Sequence, residues 1–224
     1  MSAATTIIFA REDFSIPGGA DAFGPQAGQG GSLEARFFDL LGRSKPDIIV
    51  LDLSDASADG TGARCELRSA YLGTGEQIHD VRTLQEHRAP RTTSDLLCKG
   101  AVAGSSRSVY SGLIRVERGA VRTEAFQTNH NLVLDVRAHA DSVPNLDIEE
   151  NDVRCSHAST VGPLDEDQLY YIESRGVAPE RAERLVVLGF FDDIIDRSPV
   201  PAAAGRLRRE VASRLALALE SGGG

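Results

Sequence analysis

From about residue 46 to 155, apolar residues fall in short β-branched runs or alternate with polar ones, and Gly, Asn or Asp bound each run. Pro46–Leu53 opens the series with Ile48, Ile49, Val50 and Leu51. Alternation recurs over 63–68, 111–116, 131–136, 145–148 and 152–155. A period of two over so few residues predicts strands. No 3.6-residue pattern interrupts them, which argues against a βαβ sheet. Strands at this spacing, with polar corners and inward aliphatics, suit either a β-sandwich or a parallel β-helix, and periodicity alone does not separate the two. Thr123, Thr128, Asn129 and Asn131 are candidates for stacked polar ladders at solenoid corners.

The pattern changes after residue 163. Asp165 is placed to cap a helix, with Gln168 three positions on and Leu164 able to staple against Leu169. Gly176 supplies a left-handed stop. Pro179 sits where a first helical turn tolerates it, opening a helix to about Asp196, and a last helix is expected from about Ala202 to Glu220. At the other end, residues 17–31 are rich in Gly and Pro and read as a linker. Three regions result: a Gly-rich variable segment over 1–32, a β core over 33–162 and a helical subdomain over 163–224.

Composition narrows the class. Of 224 residues, 41% are hydrophobic and 25% charged, which excludes a disordered or collagen-like chain. The formal charge of −9 argues against nucleic acid or anionic lipid as partner. The one basic cluster, Arg206, Arg208, Arg209 and Arg214, alternates with Leu207, Val211 and Leu215 and reads as the solvated face of an amphipathic helix. The start lacks a signal-peptide pattern, and no apolar run reaches the roughly 20 residues of a membrane span. Cys65, Cys98 and Cys155 are therefore expected to be reduced thiols, and the expected location is the cytoplasm.

The densest reactive constellation is Cys155-Ser156-His157. Alternation puts Cys155 and His157 on one side of a strand, able to share a soft metal or sulfur species, and an imidazolium beside the thiol would favour thiolate. One Cys and one His do not complete a metal site, and a cysteine packing as a small hydrophobe is the simpler reading of the spacing. His79, His87, His130 and His139 read as solvated surface histidines, with Asp80 a possible carboxylate partner for the first two. Asp147, Glu149 and Asp152 offer carboxylates for a β-helix carbohydrate-active enzyme, which would need them to converge on an open groove.

An ordered series of motifs adds a resemblance. Thr123-x-Ala125-x-Gln127, Asn131-Leu132, Pro144 to Ile148, Asn151 to Thr160 around Cys155-Ser156-His157, and Tyr171 to Gly176 resemble the SufB/SufD family of iron–sulfur cluster assembly scaffolds, nearer its SufD branch. His79 to Thr83, His87 and Ser94 extend the likeness upstream. Ala158 and Ser159 stand where the family usually has Gly-Ala, a difference that matters only if the backbone there needs positive φ.

The resemblance implies a mainly β fold, a right-handed parallel β-helix followed by a small C-terminal helical subdomain, in a short form without the family's N-terminal helical region. It implies a scaffold rather than an enzyme, pairing with a SufB-like or identical chain and docking a SufC-type ABC ATPase. It places Cys155 and His157 at an inter-subunit site for a transient iron–sulfur cluster or iron, with none held stably by the isolated chain. Tyr170, Tyr171, Arg175, Phe190 and Phe191 are the expected partner-contact anchors, with packing against the β-helix as the alternative for the aromatics. A structural homodimer without cluster chemistry is the remaining alternative.

Overall fold

The computed structural model describes residues 6–10, 47–53, 61–62, 64–197, 204–205, 208–209 and 211–216. The order is β1 (Thr6–Ala10), β2 (Asp47–Leu53), β3 (Arg64–Gly73), β4 (Ile78–His87), β5 (Thr93–Val102), β6 (Arg107–Val116), β7 (Glu124–Val133), β8 (His139–Ile148), β9 (Arg154–Gly162), α1 (Glu166–Glu173) and α2 (Pro179–Asp196), followed by helical residues 211–216. The Gly-rich 17–31 stretch lies outside the described residues.

Successive strands alternate between two sheets, ordered β1-β3-β5-β7-β9 and β2-β4-β6-β8. All pairs are parallel except β1 with β3. This is a parallel β-helix of about three turns, and the sandwich alternative falls because its strands would pair antiparallel. Arg64 pairs with Thr93, Thr93 with Glu124 and Glu124 with Arg154, offsets of 29, 31 and 30 residues.

The corners repeat as well. Gly62, Arg91 and Arg122 occupy equivalent turn positions, all with positive φ, and their N–H groups donate to Pro90, Val121 and Asp152 respectively. The strand expected over 131–136 stops at Val133, because residues after it form the next corner.

The interior is less aliphatic than expected. Leu67, Leu96, Val81, Val102 and Tyr110 pack in one cluster and Ile114, Val116, Ala120 and Ala125 in another. Between them lie buried His79, Thr83, Gln85, His87, Ser94, Gln127, Asn129 and Asn131. His79 and His87 are thus core residues, a correction to their reading as solvated. Burial pushes both imidazoles down to about 4. Asp80 partners neither, since it is bound to Arg82 at 2.9 Å on the outer face. His139 is exposed and meets Asp141 at 3.1 Å, and His130 is half-buried.

The polar ladders also run through the interior rather than only along corners. Thr123 and Thr92 do stack at a corner, 3.1 Å apart. Asn129 and Asn131 sit mid-strand, where Asn131 Nδ2 donates to Asn129 Oδ1 at 2.7 Å and Tyr71 OH bonds Asn131. Gly100 leaves the space for that pair, as a Cβ there would lie 2.2 Å from the Tyr71 ring. Most buried polar groups in folded proteins are paired in this way.

The helices cover the outside of the odd-numbered sheet. Val187, Phe191, Ile194 and Ile195 of α2, with Val211 and Leu215, pack on Ala70, Leu72, Leu97 and Ala101. Full burial of such aliphatic or aromatic side chains contributes about 1.5–3 kcal/mol each. Asp165 caps α1 as expected, accepting from the N–H groups of Asp167 and Gln168. Gly176 has φ of +86° and Pro179 opens α2. Arg208 pairs with Asp192 at 2.7 Å and with Asp196, fastening the last helical residues to α2.

Candidate functional site: the open end of the β-helix

The last turn of the β-helix is formed by β8 and β9, each at the edge of its sheet. Arg154 N–H donates to Thr123 O at 2.8 Å, so the even-numbered residues of β9 bond back to β7. In a parallel ladder neighbouring residues alternate sides, which turns the backbone N–H and C=O of Cys155, His157, Ser159 and Val161 to the free edge. On β8, His139 N–H donates to Ser106 O and Glu149 N–H to Val116 O. The same alternation aims the backbone of Ala140, Ser142, Pro144, Leu146 and Ile148 outward. Pro144, which has no N–H, therefore sits at an edge position that loses no ladder bond.

Register defines which side chains face inward. Ala125 pairs with Cys155, Gln127 with His157 and Asn131 with Val161. Because in-register residues share a face, Cys155, His157 and Val161 line the interior side at the open end. Exposure shows how abruptly cover ends. Ile114 is 0% exposed and its neighbour in the last turn, Leu146, 41%; Asn131 is 2% and Val161 42%. A solenoid end that leaves apolar interior positions this wet calls for a capping surface.

Cys155 is half-buried and packs beside Ile114, Val116, Ala120 and Ala125. Burial raises its thiol pKa, opposed by the Ala125 backbone N–H. Desolvation outweighs that hydrogen bond, so burial sets the direction of the shift. Cys98 is fully buried and pushed up to about 12, an inert core thiol. His157 is exposed. Ala158 is not among the positive-φ residues, so its methyl is accommodated in an ordinary extended strand.

Cys155 and His157 offer one sulfur and one nitrogen, two residues apart on one face. Among the described residues no group of three or more His, Cys, Asp or Glu is placed to hold a metal ion. The pair fits part of a ligand set for a soft metal, and nothing among the described residues completes it.

The expected contact anchors divide. No residue of α1 is buried, and Tyr170 and Tyr171 are 75% and 60% exposed. Arg175 stacks over the Tyr171 ring at 4.9 Å and donates to its hydroxyl at 3.2 Å, a preformed surface pair. Phe191 is 1% exposed inside the helix–sheet core and so is unavailable to a partner, a correction to its reading as an anchor. Phe190 is half-buried under the Lys99 ammonium, 4.6 Å from the ring centre.

Two of the three acids of the carbohydrate-enzyme alternative, Asp147 and Asp152, are drawn to separate arginines. Asp147 is bound to Arg115 at 2.9 Å on the outer face, and Asp152 lies at the corner before β9, 3.8 Å from Arg122. Sequence reasoning missed Gln127 and Leu146, which the register alone brings to this end. It also missed β4, whose inward His79, Thr83, Gln85 and His87 are polar, and β5, whose outer Leu97 and Ala101 are as apolar as its inward Leu96, Cys98 and Val102.

Comparison with known proteins fits this geometry. Residues 48–190 match the family described as the SUF system FeS cluster assembly SufBD core domain. The chain belongs to the SufBD family. An iron–sulfur cluster assembly SufBD family protein of Mycobacterium leprae is 41% identical over 156 residues, 66% of this chain and 40% of that protein. SufD of Bacillus subtilis is 34% identical over 161 residues (72% and 36%), and SufD of Escherichia coli 32% over 138 (62% and 33%). This SufBD member thus matches less than half the length of each of these relatives. Its aligned part holds the whole β-helix from β2 onward together with α1 and most of α2. No described helix is long and apolar enough to cross a membrane.

Proposed function

We propose that this chain is a SufD-like scaffold subunit, pairing through its open β-helix end with a SufB-like chain and docking a SufC-type ATPase through α1 and α2. The observation that carries the reading is the terminal strand itself. Cys155 and His157 share the inward side of an edge strand whose backbone faces outward, next to half-exposed Leu146 and Val161. A second β-helix abutting that edge would cover the apolar residues, extend the backbone pairing and add the missing ligands. The nascent cluster is the cargo of such an interface, held between chains.

Exposed Tyr170 and the stacked Tyr171–Arg175 pair support docking on the helical side, because aromatic and Arg side chains dominate interface energetics. That surface lies on different elements from the open end, so a bound ATPase and a second β-helix can be held together.

The test is anaerobic reconstitution with iron and sulfide, with and without a co-expressed SufB-like chain and SufC-type ATPase. The reading predicts cluster absorbance and retained iron only in the complex. It predicts too that Val161→Asp removes the SufB-like chain while the ATPase still co-purifies. Stable cluster on the isolated chain, or pairing untouched by Val161→Asp, contradicts it.

A further inference from the structure

A hydrogen-bonded array runs through the β-helix interior and ends one residue short of His157. Acceptor-only atoms fix the orientation of its two amides. The Phe126 carbonyl can only accept, so the Gln85 group facing it at 3.2 Å is Nε2, which also donates to Ser94 Oγ at 2.7 Å. Ser94 Oγ also lies 2.8 Å from His87 Nε2. His87 Nδ1 in turn meets Thr92 Oγ1 at 2.7 Å, so both ring nitrogens are engaged and one of them carries the ring proton. In the other direction Gln85 Oε1 can only accept, so the Gln127 atom 3.1 Å away is Nε2, with Thr83 Oγ1 a further 3.4 Å neighbour.

The array leaves one atom over. Gln127 Oε1 has no hydrogen-bond partner, although the residue is only 1% exposed. The amide cannot turn about to satisfy it without setting its oxygen against Gln85 Oε1. The amide lies against Gly112, which makes room for it, since a Cβ there would come within 2.5 Å of both amide heteroatoms. A planar carboxamide whose nitrogen is engaged by β4 turns its oxygen away from that bond. The in-register neighbour of Gln127 in the last turn is His157, the exposed end of the same inward-facing column as Leu67 and Leu96.

We propose that Gln127 Oε1 accepts a hydrogen bond from a ring N–H of His157, making Gln127 the positioning residue that fixes which ring nitrogen His157 turns to the open end. The bond gives the unpartnered oxygen a donor and leaves the opposite ring nitrogen with its lone pair outward. A second-layer acceptor on a histidine sets tautomer and ring direction in the same way at metal sites. The hydrogen bond concerns this chain alone, whereas its consequence for cluster assembly rests on the scaffold reading above.

The test is two-bond 1H–15N NMR of the full chain with labelled histidine at neutral pH, His157 being identified by loss of its signals in His157→Ala. The wild type is expected to show one dominant His157 tautomer and an observable ring N–H, unusual for an exposed imidazole. Gln127→Met should lose both while the His87 N–H persists, and Gln127→Glu, which keeps an acceptor, should retain the tautomer. Client-protein maturation should slow about tenfold in Gln127→Met. A wild-type spectrum without a protected His157 N–H overturns the proposal, as does an unchanged His157 tautomer in Gln127→Met. If Gln127→Met fails to fold, the wild type and Gln127→Glu spectra decide. If the NMR pattern holds but His157→Ala leaves maturation intact, the scaffold reading fails and the hydrogen bond stands. The reverse pair of results separates them the other way.

Discussion

Lys99 Nζ lies 2.5 Å from Asp193 Oδ2, joining the outer face of β5 to α2. The ammonium also donates to the Phe190 carbonyl at 3.0 Å, and its side chain is only 7% exposed. Lys99 holds the Asp193 carboxyl below its ordinary range, with Arg197 adding to the effect. One of the chain's two lysines is therefore the polar rivet between helical subdomain and β-helix.

Lys99→Ala is expected to cost about 2 kcal/mol, less than a fully buried pair would, because Asp193 remains partly solvated and keeps Arg197. Urea unfolding reads the loss. Hydrogen exchange should quicken over 179–196 while the amides of β5 and β7 stay protected.

His79 and His87 make stability fall in mild acid. Both imidazoles titrate near 4 when folded and about 6.5 when unfolded, so between those values the unfolded chain binds more protons. Their stabilisation is complete above about pH 6.5 and is lost as pH falls toward 4, about 2 kcal/mol per histidine by pH 5. Urea midpoints at pH 7 and pH 5 check this, and His79→Gln should flatten the difference by about half.

Arg122 holds φ of +59° at a corner where the equivalent residue two turns earlier is Gly62. Its guanidinium is well exposed and only 3.8 Å from Asp152, a weak pair. Relief of left-handed strain in Arg122→Gly should exceed the added chain entropy, raising stability by about 0.5–1 kcal/mol. A lower Tm in that variant would show that the side chain matters more than the backbone.

Gly112→Ala should act in the opposite sense. The new methyl meets the Gln127 amide, and displacement of that amide should cost about 1–3 kcal/mol. The same substitution at Gly162, where a Cβ meets nothing within 4 Å, serves as the neutral control.

Much of the architecture was legible in the chain. Asp165, Gly176 and Pro179 placed the helix boundaries because capping chemistry is local. The β-helix itself was not readable from period alone. Offsets of 29, 31 and 30 residues carry inward columns whose chemistry changes at every turn, as in Leu67, Leu96, Gln127 and His157. Strand β4 was hidden because its inward His79, Thr83, Gln85 and His87 look like a solvated face until the fold brings Tyr71, Tyr110, Ser94 and Thr92 against them.

The Cys155–His157 pair was visible as spacing, but its exposure and the raised Cys155 pKa depend on its lying on the final edge strand. Phe191 shows the converse: an aromatic on a helix looks like an anchor until the sheet that buries it is known.

The most direct test of the scaffold account is maturation of iron–sulfur client enzymes in cells carrying His157→Ala in place of the wild-type chain. Client activity should fall at least tenfold while the SufC-type ATPase still co-purifies with the variant. Wild-type client activity in the variant, with the protein folded and present at normal level, would contradict the account.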